Sequence, residues 1–188
     1  MKTLLEILNS IYPLSPELSE QISSKSEFLD VKKKTVLLEA GQTSKTIYFI
    51  LRGAVRIYYL NKDGVENTTW LLLENEFVIS VYSFFRGGAS FEYIETTEDC
   101  ELIALHKEQL DYLYNHFMEF NFIGRKLTEA YYIRNEEQAN NLRVLGGKAR
   151  YLELLQTNPK ILQRFSLGYI ASYLGIAQET LSRIRKQK

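Results

Sequence analysis

The sequence predicts an α+β chain, a block of antiparallel strands followed by helices, and three observations carry that reading. Between residues 46 and 105, short runs rich in β-branched and aromatic residues recur at close spacing, the pattern of an antiparallel sandwich or barrel. After Leu105 the apolar spacing becomes helical and stays so. Only three prolines and ten glycines punctuate 188 residues, so elements are long and loops short.

Taken in order, Ser15-Pro16-Glu17 reads as an N-cap, a proline at the first helical position and an early acid, opening a helix through about Ile22. The character turns to β from about Val31. Runs 46–52 and 54–60 flank Gly53, and runs 54–60 and 65–73 flank Asn61-Lys62-Asp63-Gly64, where Asp-Gly supplies the positive φ of a hairpin turn. Further strands are expected at 77–81, 91–96 and 100–105. From Glu119 to about Val144 there is no proline and one glycine, with apolar residues at Phe120, Ile123, Leu127, Ala130, Ile133 and Leu142. Arg134, Glu137 and Asn141 interrupt a strict heptad, so the expectation is a coiled-coil-like contact with a second copy; the alternative is a helix lying along its own β-domain. Gly146-Gly147 ends this helix, and basic helical segments follow at about 148–156 and 166–187.

The formal charge is zero, with 23 basic and 23 acidic residues. That zero hides an asymmetry: residues 1–142 carry 14 basic and 21 acidic side chains, while 143–188 carry 9 basic and 2 acidic. Such a basic segment points to a polyanion met by that segment alone. An apolar fraction of 45% fills a core, and no run reaches the length of a membrane span. The N-terminal MKTLLEIL is interrupted by Glu6 and has no small-residue cleavage site, so no signal peptide and a cytoplasmic location are expected. Cys100 is the only cysteine, which excludes an internal disulfide. His106 and His116 form no His-x-His pair, which weighs against a metal-dependent β-barrel oxygenase or isomerase; no metal site and no catalytic residue are expected.

The last 22 residues carry the most information. Ser166 caps a short helix that stops at Gly175, Ile176-Ala177 turns the chain, and a second helix runs from Gln178 to Gln187. Ala171 allows close approach, and Ile170, Leu174, Ile176, Leu181 and Ile184 form a shared apolar face, as a helix-turn-helix requires. Gln178, Glu179, Ser182, Arg183 and Lys186 lie on the opposite face. In a major groove Arg183 suits guanine O6 and N7, Glu179 cytosine N4, and Gln178 adenine or a phosphate. Ser166 and Thr180 suit phosphate oxygens.

The order of strands, long helix and helix-turn-helix resembles the Crp/Fnr family of bacterial transcription regulators along nearly the whole chain. The resemblance rests on Glu39-Ala40-Gly41-Gln42, Ile47 to Ile50, Arg52-Gly53-Ala54-Val55 and Asn61 to Gly64. It continues in Ala149-Arg150 with Leu152 and Leu155, Ile170-Ala171 through Gly175, and Glu179-Thr180-Leu181 with Arg183-Ile184. It implies a double-stranded β-helix (β-roll, or jelly roll) sensor domain with N-terminal helices over residues 1–117. A dimerisation helix over 118–145 and a helix-turn-helix DNA-binding domain over 146–188 follow. The implied function is a homodimeric, non-enzymatic transcription regulator that reads a pseudo-palindromic site on double-stranded DNA through helix 178–187, with RNA polymerase as a further partner. Gln178, Glu179 and Arg183 fall at base-contacting positions, and Ser166 and Thr180 at phosphate-contacting ones.

Two departures qualify the resemblance. Cyclic AMP binders of the family hold the phosphate with a Gly-Glu pair after an aromatic residue and with a later Arg-Ser pair. Aligning Phe77 and the Tyr93-Ile94 strand puts Ile79-Ser80 and Ser90-Phe91 at those places, and Arg86 lies four positions early. A phosphate buried without a placed cation is costly. Binding of cyclic AMP is therefore not expected, and an unidentified small-molecule effector stays open, with Phe77, Ser80, Tyr82, Arg86, Ser90, Phe91 and Tyr93 as pocket candidates. Phe77, Val81, Tyr82, Phe84, Phe85, Phe91 and Tyr93 are alternatively the filling of the β-roll. Secondly, relatives continue into wing strands after the recognition helix, whereas here the sequence stops at Lys188, so the helix-turn-helix is expected to lack the wing. Arg143, Lys148, Arg150, Lys160 and Arg164 are then candidates for compensating phosphate contacts. The alternative function is a β-roll sensor or adaptor acting through protein partners and not DNA.

Overall fold

A computed structural model describes residues 1–187. The far end of the expected 146–188 segment, and the question of a wing beyond it, lie outside the described residues. Two helices, α1 (Lys2–Ile11) and α2 (Pro16–Lys25), precede eight strands: β1 (Glu27–Val31), β2 (Val36–Leu38), β3 (Thr46–Arg52), β4 (Val55–Leu60), β5 (Glu66–Leu72), β6 (Phe77–Val78), β7 (Glu92–Thr96) and β8 (Cys100–His106). A short helix α3 (Val81–Arg86) sits between β6 and β7. After the strands come α4 (Lys107–His116), α5 (Met118–Val144), α6 (Gly147–Thr157), α7 (Ile161–Arg164), α8 (Leu167–Tyr173) and α9 (Gln178–Lys186). The strands form two four-stranded antiparallel sheets, ordered β1-β8-β3-β6 and β2-β7-β4-β5.

Local chemistry explains the boundaries. Ser15 Oγ accepts from the Leu18 N–H at 3.1 Å, and Pro16 and Glu17 open α2 as the sequence predicts. Asn61 Oδ1 accepts from the N–H groups of Asp63 and Val65, both at 2.9 Å, and Gly64 takes φ +75°, which closes the β4–β5 hairpin. Ile50, Val55, Ile57, Trp70, Leu72, Ile94 and Leu102 fill the space between the sheets. A second core joins the N-terminal helices, α4 and the start of α5 to the outer face of the first sheet through Leu4, Leu8, Leu18, Ile22, Phe49 and Ile123.

One expectation needs correction. The run expected as strand 77–81 pairs only through Val78, and the next residues form α3, with Phe84 N–H bonded to Ser80 O at 2.9 Å. Aromatic density raises strand propensity, but Val81 and Phe84 stand three apart and pack inward together, and that spacing favours a helix. The long helix also divides its work. Phe120 and Ile123 are buried, with Leu127 packed beside them, in the core of their own chain, whereas Ala130, Ile133 and Leu142 are exposed. The first half thus lies in the core of its own chain, and the second half meets the β-roll through Tyr131, Arg134 and Gln138 while leaving Tyr132, Ile133 and Leu142 exposed.

Candidate nucleic-acid interface and sensor interior

The C-terminal helix pair is built as its residues require. Ser166 Oγ accepts from the Tyr169 N–H at 3.2 Å, so α8 starts with a satisfied donor. Gly175 takes φ +63°, and the Ile176 N–H returns to Ala171 O at 3.0 Å, turning the chain into α9. Ile170, Ala171, Leu174, Leu181 and Ile184 are buried in one cluster, and Ile176 packs at its margin. On the other side of α9, Gln178, Glu179, Arg183 and Lys186 are exposed, with Thr180 and Ser182 half-buried. Among the described residues the polar face of α9 makes no hydrogen bond or ion pair. Arg183 and Lys186 also stand in the last turn, where cations are favoured by the helix dipole, but that does not occupy their donors.

The β-roll interior is the opposite case. Ser80 and Ser90 are buried, with hydroxyl oxygens 3.0 Å apart, and Ser80 Oγ donates to Glu92 Oε2 at 2.7 Å. The Glu92 N–H donates to Ser90 Oγ at 2.9 Å. Burial raises the Glu92 carboxyl above its ordinary range, opposed by hydrogen bonds from Ser80 and Thr69. Phe77 and Tyr93 lie outside that interior: Phe77 packs on Phe49 over the outer face of the first sheet, with ring centroids 5.1 Å apart, and Tyr93 stacks on Tyr58 at 5.1 Å on the strand face opposite Ile94. Glu92 was not among the residues that the sequence singled out. Its signal was the period-two pattern of 92–96, which puts it on the same strand face as buried Ile94 and Thr96.

Residues 28–117 match the cyclic nucleotide-binding domain family. The cAMP-activated global transcriptional regulator CRP of Pasteurella multocida (strain Pm70) is 23% identical over 168 residues, covering 81% of this chain and 78% of that one. The chain is similar to regulators of the Crp/Fnr family. The FixK2 structure from Bradyrhizobium japonicum superposes with a TM-score of 0.73 at 20% identity, covering 86% of this chain and 83% of that one. The c-di-GMP responsive regulator CLP of Xanthomonas campestris gives 0.69 at 21%, covering 92% and 91%. At these identities the structural likeness establishes the fold.

The other candidates fall into place unevenly. Tyr82, Phe85 and Phe91 do not fill the roll: they are 53%, 60% and 56% exposed, since α3 turns Val81, Ser83 and Phe84 inward and Phe91, ahead of β7, packs on Tyr82. Arg86 is exposed too, and its Nη1 donates to Tyr82 Oη at 3.3 Å. The seven pocket candidates therefore form no single site: Ser80 and Ser90 are bonded to each other, Phe77 lies on the outer face of the first sheet, Tyr93 stacks on Tyr58 on the outer face of the second, and Tyr82, Arg86 and Phe91 are exposed. Two of the five expected phosphate contacts are engaged within the chain. Arg150 Nε donates to Leu174 O at 2.8 Å and its Nη1 to Leu145 O, while Arg164 is held by Glu74 and Glu98. Arg143, Lys148 and Lys160 remain exposed. His106 Nδ1 lies 3.0 Å from Thr46 Oγ1, and His116 Nδ1 lies 2.8 Å from Tyr112 O, both surface contacts. Among the described residues no cluster of three metal-ligating side chains occurs, and no helix is long and apolar enough to cross a membrane.

Proposed function

We propose that this chain is a homodimeric DNA-binding transcription regulator, with residues 1–117 as sensor domain, 118–145 as dimerisation helix and 146–188 as DNA-binding domain. The observation that carries the reading is α9 itself: Leu181 and Ile184 anchor one face, and the opposite face holds exposed polar side chains with no partner among the described residues. Arg183, Glu179 and Gln178 read base edges, and Ser166, Thr180, Ser182 and Lys186 contact phosphates or neighbouring edges. Ser166 keeps its hydroxyl proton for a phosphate, since its capping role uses only a lone pair. The exposed second half of α5, with Ala130, Ile133 and Leu142, supplies the contact between protomers.

The sensor domain does not take cyclic AMP in the usual way. The two serines at the phosphate-binding places are satisfied by each other and by Glu92, so an incoming phosphate would meet a carboxylate and no placed cation. Arg86 is turned to Tyr82 at the surface. Fluorescence anisotropy on labelled duplexes over a salt series, beside sedimentation of the free protein, tests the reading. A dimer whose affinity falls linearly on a log–log plot with salt is expected, with cyclic AMP leaving affinity unchanged. A monomer at micromolar concentration, or no binding at low salt, would overturn it.

A further inference from the structure

The helix-turn-helix is not merely tethered through Leu145-Gly146; it is seated on the β-roll of its own chain at four places. Strand β5 is the edge of its sheet, and an edge strand leaves N–H and C=O groups unpaired. Ser172 of α8 fills that edge: its Oγ accepts from the Thr68 N–H at 2.9 Å and donates to Glu66 O at 3.0 Å. Arg56 of β4, only 1% exposed, lies between the rings of Tyr58 and Tyr169, 4.2 and 4.0 Å from their centroids, so a buried sheet cation is stacked on an α8 aromatic. Ala54, Leu71 and Leu73 of the roll share one apolar cluster with Tyr151, Leu154 and Phe165.

The fourth place is the most specific. Arg164, at the end of α7, spreads its guanidinium over two carboxylates: Nε donates to Glu98 Oε1 at 2.7 Å, Nη1 to Glu74 Oε2 at 3.1 Å and Nη2 to Glu74 Oε1 at 3.0 Å, with a further bond from Nη2 to Glu98 Oε2. Glu74 also accepts from the Gly53 N–H at 3.0 Å. A planar fork satisfied on two edges resists rotation as well as separation, which a lysine ammonium would not. None of these contacts involves the polar face of α9, which stays open in the seated arrangement.

We propose that Arg164 is a positioning residue for DNA reading: clamped by Glu74 and Glu98, it holds the helix-turn-helix in one pose on the β-roll and so fixes the separation of the two recognition helices in a dimer. This rests on the dimeric DNA-reading function proposed above. Half-site spacing mirrors the spacing of the two helices, so a rigid seat selects one spacing and a loosened seat accepts several. Losing the seat also removes preorganisation, which lowers affinity without removing a contact to DNA.

The test measures full-chain binding to duplexes carrying the selected half-sites at a series of separations, over a salt series, for wild type, Arg164→Ala, Arg164→Lys, Glu98→Gln and Ser172→Ala. Glu98→Gln and Ser172→Ala leave the apolar cluster untouched, so they report on the seat where Arg164→Ala simply unfolds the unit. Wild type is expected to favour one separation by about ten-fold or more, and the variants to lose most of that preference while keeping the wild-type salt slope, with Arg164→Lys intermediate. An unchanged spacing profile in all variants would overturn the inference. So would a salt slope lower by about 0.9 in Arg164→Ala at every spacing, which marks a phosphate contact, or tighter binding by the variants, which marks an inhibitory clamp. Wild type that binds no duplex sinks the DNA-reading function itself, a result distinct from these.

Discussion

Two polar groupings in this chain differ in what their side chains are doing. In the β-roll, Ser80, Ser90 and Glu92 are bonded to one another, and the interior has little left to offer an incoming anion. On α9, Gln178, Glu179, Arg183 and Lys186 are exposed and unspent. A polar residue that is buried and satisfied is part of the fold, whereas one held outward on a rigid apolar base is available to a partner. The chain type alone would assign a ligand to the first grouping and DNA to the second; the hydrogen bonds support only the second.

The largest way to break that contrast is to remove the base under α9. Leu181 is fully buried, and Leu181→Ala is expected to cost about 2–5 kcal/mol and abolish DNA binding, read by urea unfolding and anisotropy. Next, Arg183→Ala is expected to leave unfolding unchanged while relaxing discrimination at one base position by about 1–3 kcal/mol. Acid acts on the seat between the two regions. Burial alone would raise the Glu74 carboxyl, but hydrogen bonds from Arg164 and from backbone N–H groups bring it down to about 2 from 4.5. A depressed carboxyl contributes stability that is present above its unfolded value and lost as pH falls through the folded one. The unfolding midpoint is therefore expected to fall from about pH 4.5 toward pH 2, and Glu74→Gln to flatten that decline.

Glu92 carries the opposite sign. Its raised carboxyl makes ionisation a burden on the folded state, so Glu92→Gln is expected to raise the melting temperature at neutral pH and to lose that advantage in acid. The smallest effect is expected at exposed Lys148, where alanine weakens all duplexes alike and lowers the salt slope by about 0.9.

Signals confined to a few consecutive residues were legible in the sequence. Ser15-Pro16, Asn61 to Gly64 and Ser166 each specify their element through bonds spanning four positions or fewer. The helix-turn-helix was legible for the same reason, its turn and apolar face lying within 166–187. The strand at 77–81 was read too long because Phe77 to Val81 is dense in β-branched residues, and the alternative that put Tyr82 and Phe85 inside the roll meets exposed rings. The seat was not legible at all: Arg164 meets Glu98 across 66 positions and Ser172 meets Thr68 across 104, and charge pattern gives no register between such distant elements. Arg150 and Arg164 looked like phosphate contacts for that reason, and only the fold shows them engaged.

Selection of bound duplexes from a random pool, by wild type and by Arg183→Ala, tests the central claim most directly. The account expects wild type to recover an inverted pair of half-sites whose centres lie about one helical turn or a multiple of it apart. The variant should recover the same pair with one position degenerate in each half. Recovery of no common sequence by wild type, or of the same fully specified sequence by both proteins, would contradict it.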